Sequence, residues 1–216
     1  MPPDTLTLGF DTSAAHCAAA LLSGDRVLAQ ACEPMQKGQA ERLMALLEEV
    51  LAQNNATWQD LDAIGVGTGP GNFTGIRIAV SAARGLALSL GIPAVGVSTF
   101  EAQVLGVARP VASVVDARRE QVYLQFFDKA EAKEAPLQLS ADEAAQLISD
   151  RGCAAIGAAW NGPVSAIISP PPAPLAVAIA QLAAQRRKTE LARPAPLYIR
   201  AADAAPPSDP APVILS

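Results

Sequence analysis

Residues 64–90 read IGVGTGPGNFTGIRIAVSAARGLALSL, and the fold is decided by how this stretch is read. Ile64 to Thr68 is a short apolar run ending in a glycine turn, the pattern of a buried strand. Gly69, Pro70 and Gly71 then force a tight reversal, because glycine tolerates backbone angles that side chains forbid and proline pre-sets one of them. Asn72 or Thr74 can cap a helix that runs to about Leu90 and stops at Gly91-Ile92-Pro93. Ile76, Ile78, Val80, Leu86, Leu88 and Leu90 point several ways around that helix, with Ala79, Ala82, Ala83, Gly85 and Ala87 between them. Arg77 and Arg84 are its only charges. A helix apolar on all sides must be buried on more than one. One side can face its own sheet, and the small residues on another suit a second helix. Two plainer readings compete: a simple connection followed by a core helix of one lobe, or an anion held at the helix N-terminus. For the latter, GTGPGNFTG lacks the Lys-Ser/Thr ending of a P-loop.

Upstream, TLTLGFD (5–11) is a strand, and HCAAALLS (16–23) and RVLAQACE (26–33) flank Gly24-Asp25 as a hairpin. Together they predict an antiparallel meander. In QAERLMALLEEVLAQ (39–53), Leu43, Met44, Leu46, Leu47, Val50 and Leu51 form a broad stripe opposite Glu41, Glu48 and Glu49, a helix whose apolar face is wide for covering one sheet. Downstream of the central helix, PAVGV (93–97) is a further strand. The second half repeats this order in reduced form: VASVVD (111–116) and QVYLQFFD (121–128) around Ala117-Arg118-Arg119, then PLQLS (136–140). The helix DEAAQLISD (142–150), capped by Ser140 or Asp142, the strand CAAIG (153–157), the rigid SPPPAP and the helix LAVAIAQLAAQRRK (175–188) complete it. Two lobes of strand-strand-strand-helix-strand-helix type describe a duplicated ribonuclease-H-like, actin-like (ASKHA) α/β fold. The expected division is a lobe over 1–100 carrying the partner helices, a reduced lobe over 101–200, and a flexible Ala/Pro-rich tail over 201–216.

The chain of 216 residues is 50% hydrophobic and 17% charged, with a formal net charge of −5. That excludes a disordered chain and leaves ample core for one large or two small domains. Arg84 interrupts the longest apolar stretch, so no membrane span is expected, and no basic leader precedes an apolar run at the start. Cys17, Cys32 and Cys153 form no CxxC pattern and are expected to be reduced, which points to the cytoplasm. Arg118-Arg119 and Arg186-Arg187-Lys188 are too short a basic footprint for nucleic acid, so contact with RNA would need a partner.

Five stretches carry a family resemblance: LGFDTS (8–13), GTGPGNFTGIRIAVSAARGLAL (67–88), GVSTFEA (96–102), VVDARREQVY (114–123) and PLYIRAADA (196–204). They resemble the TsaB (YeaZ) family of the bacterial machinery that makes threonylcarbamoyladenosine in tRNA. The resemblance implies a non-catalytic scaffold that pairs, through two helices of its first lobe, with the catalytic paralogue TsaD, with a TsaE-like ATPase in the same complex. Leu43, Met44, Leu47, Arg77, Val80, Ala83, Arg84 and Ala87 are then the expected partner surface, with homodimerisation through the same face when the partner is absent. Ala83 is expected on its small-residue side. TsaD holds its metal with two histidines four apart; aligned through the glycine turn, those positions are Thr99 and Gln103 here, so no metal site is expected. The lone histidine, His16, reads as a satisfied strand-edge residue. The first helix commonly begins His-Ser-Glu in the family and begins Gln39-Ala40-Glu41 here.

The runner-up is an ATP-using enzyme of the actin, Hsp70 and sugar-kinase type. Its two phosphate turns would fall on Asp11-Thr12-Ser13 and Asp116-Ala117-Arg118, neither of which contains glycine. No cofactor is required by this reading, but ATP or ADP could touch Asp11, Thr12, Ser13, Gly71 and Thr74 near the partner interface. A zinc protease needs three ligands that one histidine cannot supply. Arg77 stands in the first turn of its helix, where the dipole disfavours a cation. Its guanidinium is expected to answer an anion: Asp11, a partner carboxylate or a phosphate.

Overall fold

The computed structural model describes residues 4–128, 134–157, 168–189 and 192–199. Its first half holds β1 (Leu6–Asp11), β2 (His16–Ser23), β3 (Arg26–Pro34), α1 (Gln39–Ala52), β4 (Ala63–Gly67), α2 (Phe73–Leu90) and β5 (Ala94–Val97). The sheet order is β3-β2-β1-β4-β5. The first three strands are antiparallel, while β4 lies parallel to β1 and β5 parallel to β4. Antiparallel neighbours need only a tight turn, whereas each parallel addition needs a crossover; α1 and α2 are those crossovers.

The second half holds α3 (Thr99–Gln103), β6 (Val111–Arg118), β7 (Gln121–Phe127), β8 (Leu137–Ser140), α4 (Ala141–Asp150), β9 (Ala154–Gly157), β10 (Ile168–Ser169) and α5 (Leu175–Arg186). Its sheet order, β10-β9-β6-β7-β8, repeats that of the first sheet with β6 in the place of β1. This is the duplicated ribonuclease-H-like, actin-like architecture. Of the two caps the sequence offers, Ser140 and Asp142, it is Ser140 that caps α4, in a reciprocal box with Glu143. The turn expected at 117–119 falls later, because β6 continues to Arg118 and Arg119 and Glu120 reverse the chain at φ 51° and 60°.

Packing explains the strand sequences. Residues Leu8, Phe10, Cys17, Ala19, Leu21, Ile64 and Val66 meet Leu43, Leu46, Leu47 and Val50 of α1 and Ile76, Ala79, Val80 and Ala83 of α2 in one cluster. Each fully buried Leu, Ile or Val here contributes roughly 1.5–3 kcal/mol. The opposite face carries Ala18, Ala20 and Leu22, and α5 covers it through Ala176, Val177 and Ala180. The fit is close. Gly9 and Gly65 are register partners on β1 and β4. A Cβ on Gly9 would stand 2.6 Å from the Ala176 carbonyl oxygen, and one on Gly65 would stand 2.8 Å from Ala183 Cβ. An alanine-rich helix on a glycine-floored sheet is the only pairing that keeps this separation.

The span 101–200 expected as one reduced lobe therefore divides in space. Its strands and α4 build the second sheet unit, while α5 belongs to the core of the first. The tail expected over 201–216 lies outside the described residues, as does the end of the PLYIRAADA stretch. By length and composition α2 is long and apolar enough to cross a membrane despite Arg84. Its inner face is packed on the first sheet instead.

Candidate functional site

The turn after β1 and the glycine stretch before α2 form one locked unit. Asp11 is fully buried at the end of β1. Its Oδ1 accepts from the Ser13 backbone N–H and from Ser13 Oγ, both at 2.9 Å, and lies 2.9 Å from His16 Nε2. Thr12 Oγ1 donates to the Gly75 carbonyl at 2.6 Å, and the Asn72 N–H donates to the Ser13 carbonyl at 2.6 Å. The glycines of GPGNFTG make room for this contact. A Cβ on Gly71 would stand 2.3 Å from the Ser13 carbonyl oxygen, and one on Gly75 would stand 1.9 Å from that of Thr12. Asn72 caps α2, its side chain accepting from the Gly75 N–H at 2.9 Å. Of the proposed anion contacts, Asp11, Thr12, Ser13 and Gly71 come together, while Thr74 is exposed on the outer side of the first turn. In a phosphate-holding turn the backbone N–H groups face the anion. Here that of Ser13 faces a carboxylate of the chain itself. His16 stands at the start of β2, a strand paired on both sides, with Asp11 as its hydrogen-bond partner.

This unit forms one wall of a cleft of about 770 Å³ between the two sheets, which Asp116 and Pro171 line from the other side. Thr99 and Gln103, the two positions matched to the metal-binding pair, sit one turn apart on α3 and also line the cleft. Both are buried and bonded to the protein: Thr99 Oγ1 donates to the Pro70 carbonyl at 3.3 Å, and Gln103 Oε1 accepts from Ser113 Oγ at 2.8 Å. A hydroxyl and an amide are poor ligands for a transition metal, and no three His, Cys, Asp or Glu groups cluster among the described residues. The residues present do not fit a metal of the TsaD kind. Cys32 also faces the cleft. Partial burial, and secondarily the Asp11 carboxylate, push its thiol above the ordinary value. Gln39 Nε2 donates to the Met35 carbonyl at 3.2 Å, fastening the start of α1 from the position where the family commonly has histidine. α3 is absent from the strand-and-helix pattern read above, although Ser98 and Glu101 spell its capping box in the sequence.

The expected partner residues separate into two groups. Leu43, Leu47, Val80 and Ala83 are buried in the chain's own core and cannot meet a partner. The helix period is the reason. At 100° per residue, Ala83 lies on the arc of Ile76, Ala79 and Val80, which faces the sheet. The small-residue side is therefore the inner side, contrary to the expectation. Met44, Arg77 and Arg84 are exposed and Ala87 is half-buried. The outer stripe of α2 is Phe73, Arg77, Ser81, Arg84 and Leu88, with Leu88 85% exposed.

Arg77 does not reach Asp11. Its guanidinium lies 3.8 Å from the centre of the Phe73 ring, and its Nε donates to Tyr198 Oη at 2.8 Å. Tyr198 in turn stacks on Phe73 with ring centres 5.1 Å apart. The segment carrying Tyr198 is tied down by the Leu197 N–H, which donates to the Thr68 carbonyl at 2.8 Å. Leu197 and Ile199 turn the other way, toward Phe100 and Val104. Nothing local in the sequence links Arg77 to a tyrosine this far along the chain.

A family model described as TsaD, tRNA N6-adenosine threonylcarbamoyltransferase, matches residues 32–194. The tRNA threonylcarbamoyladenosine biosynthesis protein TsaB of Escherichia coli is 32% identical over 129 residues, 57% of this chain and 55% of the relative. The Bacillus subtilis protein of the same name is 37% identical over 123 residues, 56% of this chain and 54% of the relative. The chain thus matches about half the length of these curated relatives. A crystal structure from Pseudomonas aeruginosa, an uncharacterized protein with similarity to the peptidase YeaZ, superposes with a TM-score of 0.73 at 25% identity, covering 91% of this chain and all of that one. With the family model spanning most of its length, the chain belongs to the family that this model describes, TsaD, and within it is similar to proteins named TsaB and YeaZ.

Proposed function

We propose that this protein is the non-catalytic partner of a TsaD-like enzyme in forming N6-threonylcarbamoyladenosine at position 37 of tRNA, and that it works in the cytoplasm, apart from any membrane. The observation that carries this reading is the chemistry of α3. The positions matched to the metal-holding histidines are Thr99 and Gln103, buried and hydrogen-bonded within the protein. Support comes from the names of the TsaB relatives and from the TsaD family match. The partner surface is the outer face of α2 with its neighbour Met44 on α1, and the enzyme's matching helices complete the contact. A TsaE-like ATPase joins the same complex, the same face pairs two copies when the enzyme is absent, and tRNA is met through the enzyme.

The test is reconstitution with the organism's own TsaD-like protein. The modified nucleoside should form only when both chains are present with the rest of the machinery. Activity of the enzyme undiminished without this chain would overturn the proposal, as would modification by this chain alone. A second reading, ATP or ADP held in the cleft, is favoured by the cleft's volume and by Ser13 and Gly71, two of the expected anion contacts, in its lining. Calorimetric titration with ADP and Mg²⁺, on the chain alone and on the complex, decides it: no heat in either case removes this reading.

A further inference from the structure

Among the described residues the arginines divide by surroundings. Arg42 is forked between Glu33 and Glu49, Arg151 pairs with Glu134, and Arg186 pairs with Glu101. Arg77, Arg84 and Arg193 are exposed and face no carboxylate among the described residues. Arg109, over the Phe127 ring, and Arg187, bonded to the Ala184 carbonyl, are likewise without an ion pair among the described residues, so what sets Arg77, Arg84 and Arg193 apart is that they are exposed on one surface.

Their placement is ordered. Arg77 and Arg84 are two turns apart on the outer stripe of α2, about 10 Å along the axis. Arg84 and Arg193 both line a groove of about 420 Å³ together with Ala87, Leu88, Ile92 and Pro93. At the other end, Phe73 and Tyr198 hold the Arg77 guanidinium flat and occupy its Nε, which leaves the Nη edge as an open, oriented fork. A planar fork held in this way matches a carboxylate with little loss of side-chain freedom.

We propose that this surface is a seat for an acidic amphipathic helix of the protein partner. One carboxylate takes the Arg77 fork, another two turns along lies between Arg84 and Arg193, and an apolar side chain between them fills the groove at Leu88. The inference rests on the pairing reading above and adds two things to it: the partner's chemistry, and the contribution of residues 193 and 198 to a surface otherwise made by helices. Charge complementarity selects a protein over RNA. The stripe carries three cations beside an apolar groove, and its two rings are stacked on each other and on Arg77 rather than set apart as platforms for successive bases.

The test uses the full chain and the organism's TsaD-like protein, with affinity measured by calorimetry across 50–500 mM NaCl. Among the described residues neither Arg84 nor Arg193 makes a hydrogen bond, ion pair or ring contact, and both are exposed, so Arg84→Glu with Arg193→Glu should fold with an unchanged far-ultraviolet spectrum and a melting temperature close to wild type. The double variant should bind at least about tenfold more weakly at low salt, with a flatter salt dependence. Arg77→Lys should lose affinity, because the lysine presents no fork. If the wild type binds and these variants bind equally well, the acidic seat is wrong while the pairing reading stands. If the wild type does not bind the TsaD-like protein, the pairing reading fails and takes this inference with it. If the variants keep the protein partner and lose binding of unmodified tRNA instead, the seat is for RNA and the proposal is overturned.

Discussion

Two glycines of the same helix should respond in opposite directions to the same substitution. At Gly75 the added Cβ would stand 1.9 Å from the Thr12 carbonyl oxygen and 3.0 Å from its carbon, both backbone atoms that cannot rotate away. Relief requires moving the β1–β2 turn, which strains the Thr12–Gly75 and Asn72–Ser13 hydrogen bonds. Overpacking costs about 1–3 kcal/mol, and two weakened hydrogen bonds add about 0.5–1.5 kcal/mol each. The helix propensity gained over glycine returns about 1 kcal/mol. Gly75→Ala should therefore destabilise by about 3 kcal/mol, or about 6–12 °C in Tm for a protein of this size. At Gly85 nothing stands within 4 Å of the added Cβ, and the position is exposed in the helix interior. Gly85→Ala should stabilise by about 0.4–1 kcal/mol. Urea unfolding followed by circular dichroism, with thermal melts, measures both. If Gly75→Ala is neutral or stabilising like Gly85→Ala, the turn is not clamped on the helix start, and the account of why GPGNFTG contains its glycines is wrong.

Ala83→Glu should unfold the isolated chain rather than block pairing, because Ala83 is fully buried against the sheet and an unpaired carboxylate there costs several kcal/mol; a native melt for this variant would place α2 in another rotation. Tyr198→Phe removes the hydroxyl that accepts from Arg77 and keeps the ring stack, so it should melt within a degree or two of wild type yet weaken partner binding in calorimetry by freeing the guanidinium. Burial, reinforced chiefly by Glu33, pushes the Cys17 thiol up to about 11 from 9.0. The neutral thiol is the form the fold favours, so its contribution is intact below pH 9 and lost as pH rises toward 11. Wild type should lose on the order of 2 kcal/mol more than Cys17→Ala over that window in urea titrations. Arg42 holds Glu33 and Glu49 below the usual carboxylate range through hydrogen bonds, those to Glu33 joining α1 to β3 and those to Glu49 staying within α1. That stabilisation is present above pH 4.5 and lost on acidification, so Arg42→Ala should flatten the acid limb of the pH–Tm curve.

What the sequence determined by itself was mostly local. The period of α1, the Asn72 cap, the Ser140 box and the positive φ of 90° at Gly69 each follow from a few neighbouring residues. The order of elements then limited the topology to a duplicated actin-like fold, because parallel additions need crossovers and crossovers have a hand. Three of the segments quoted for the TsaB resemblance come together in space: the Asp11 turn, the glycine loop and Tyr198 meet around the start of α2. Rotation and partnership were decided only in three dimensions. A helix apolar on every side carries no preferred inward face in its periodicity, so Ala83 could be assigned outward when it points inward. The sheet that α5 covers was set by the close fit of Ala176, Ala180 and Ala183 over Gly9 and Gly65, a contact between residues more than a hundred positions apart. Asp11, the anion within the chain expected for Arg77, gave way to Phe73 and Tyr198 because the Leu197 hydrogen bond to Thr68 delivers an aromatic ring to that spot, while Asp11 is already held by Ser13 and His16. Short-range propensities are written residue by residue, but packing complementarity between distant segments exists only once the chain has brought them together.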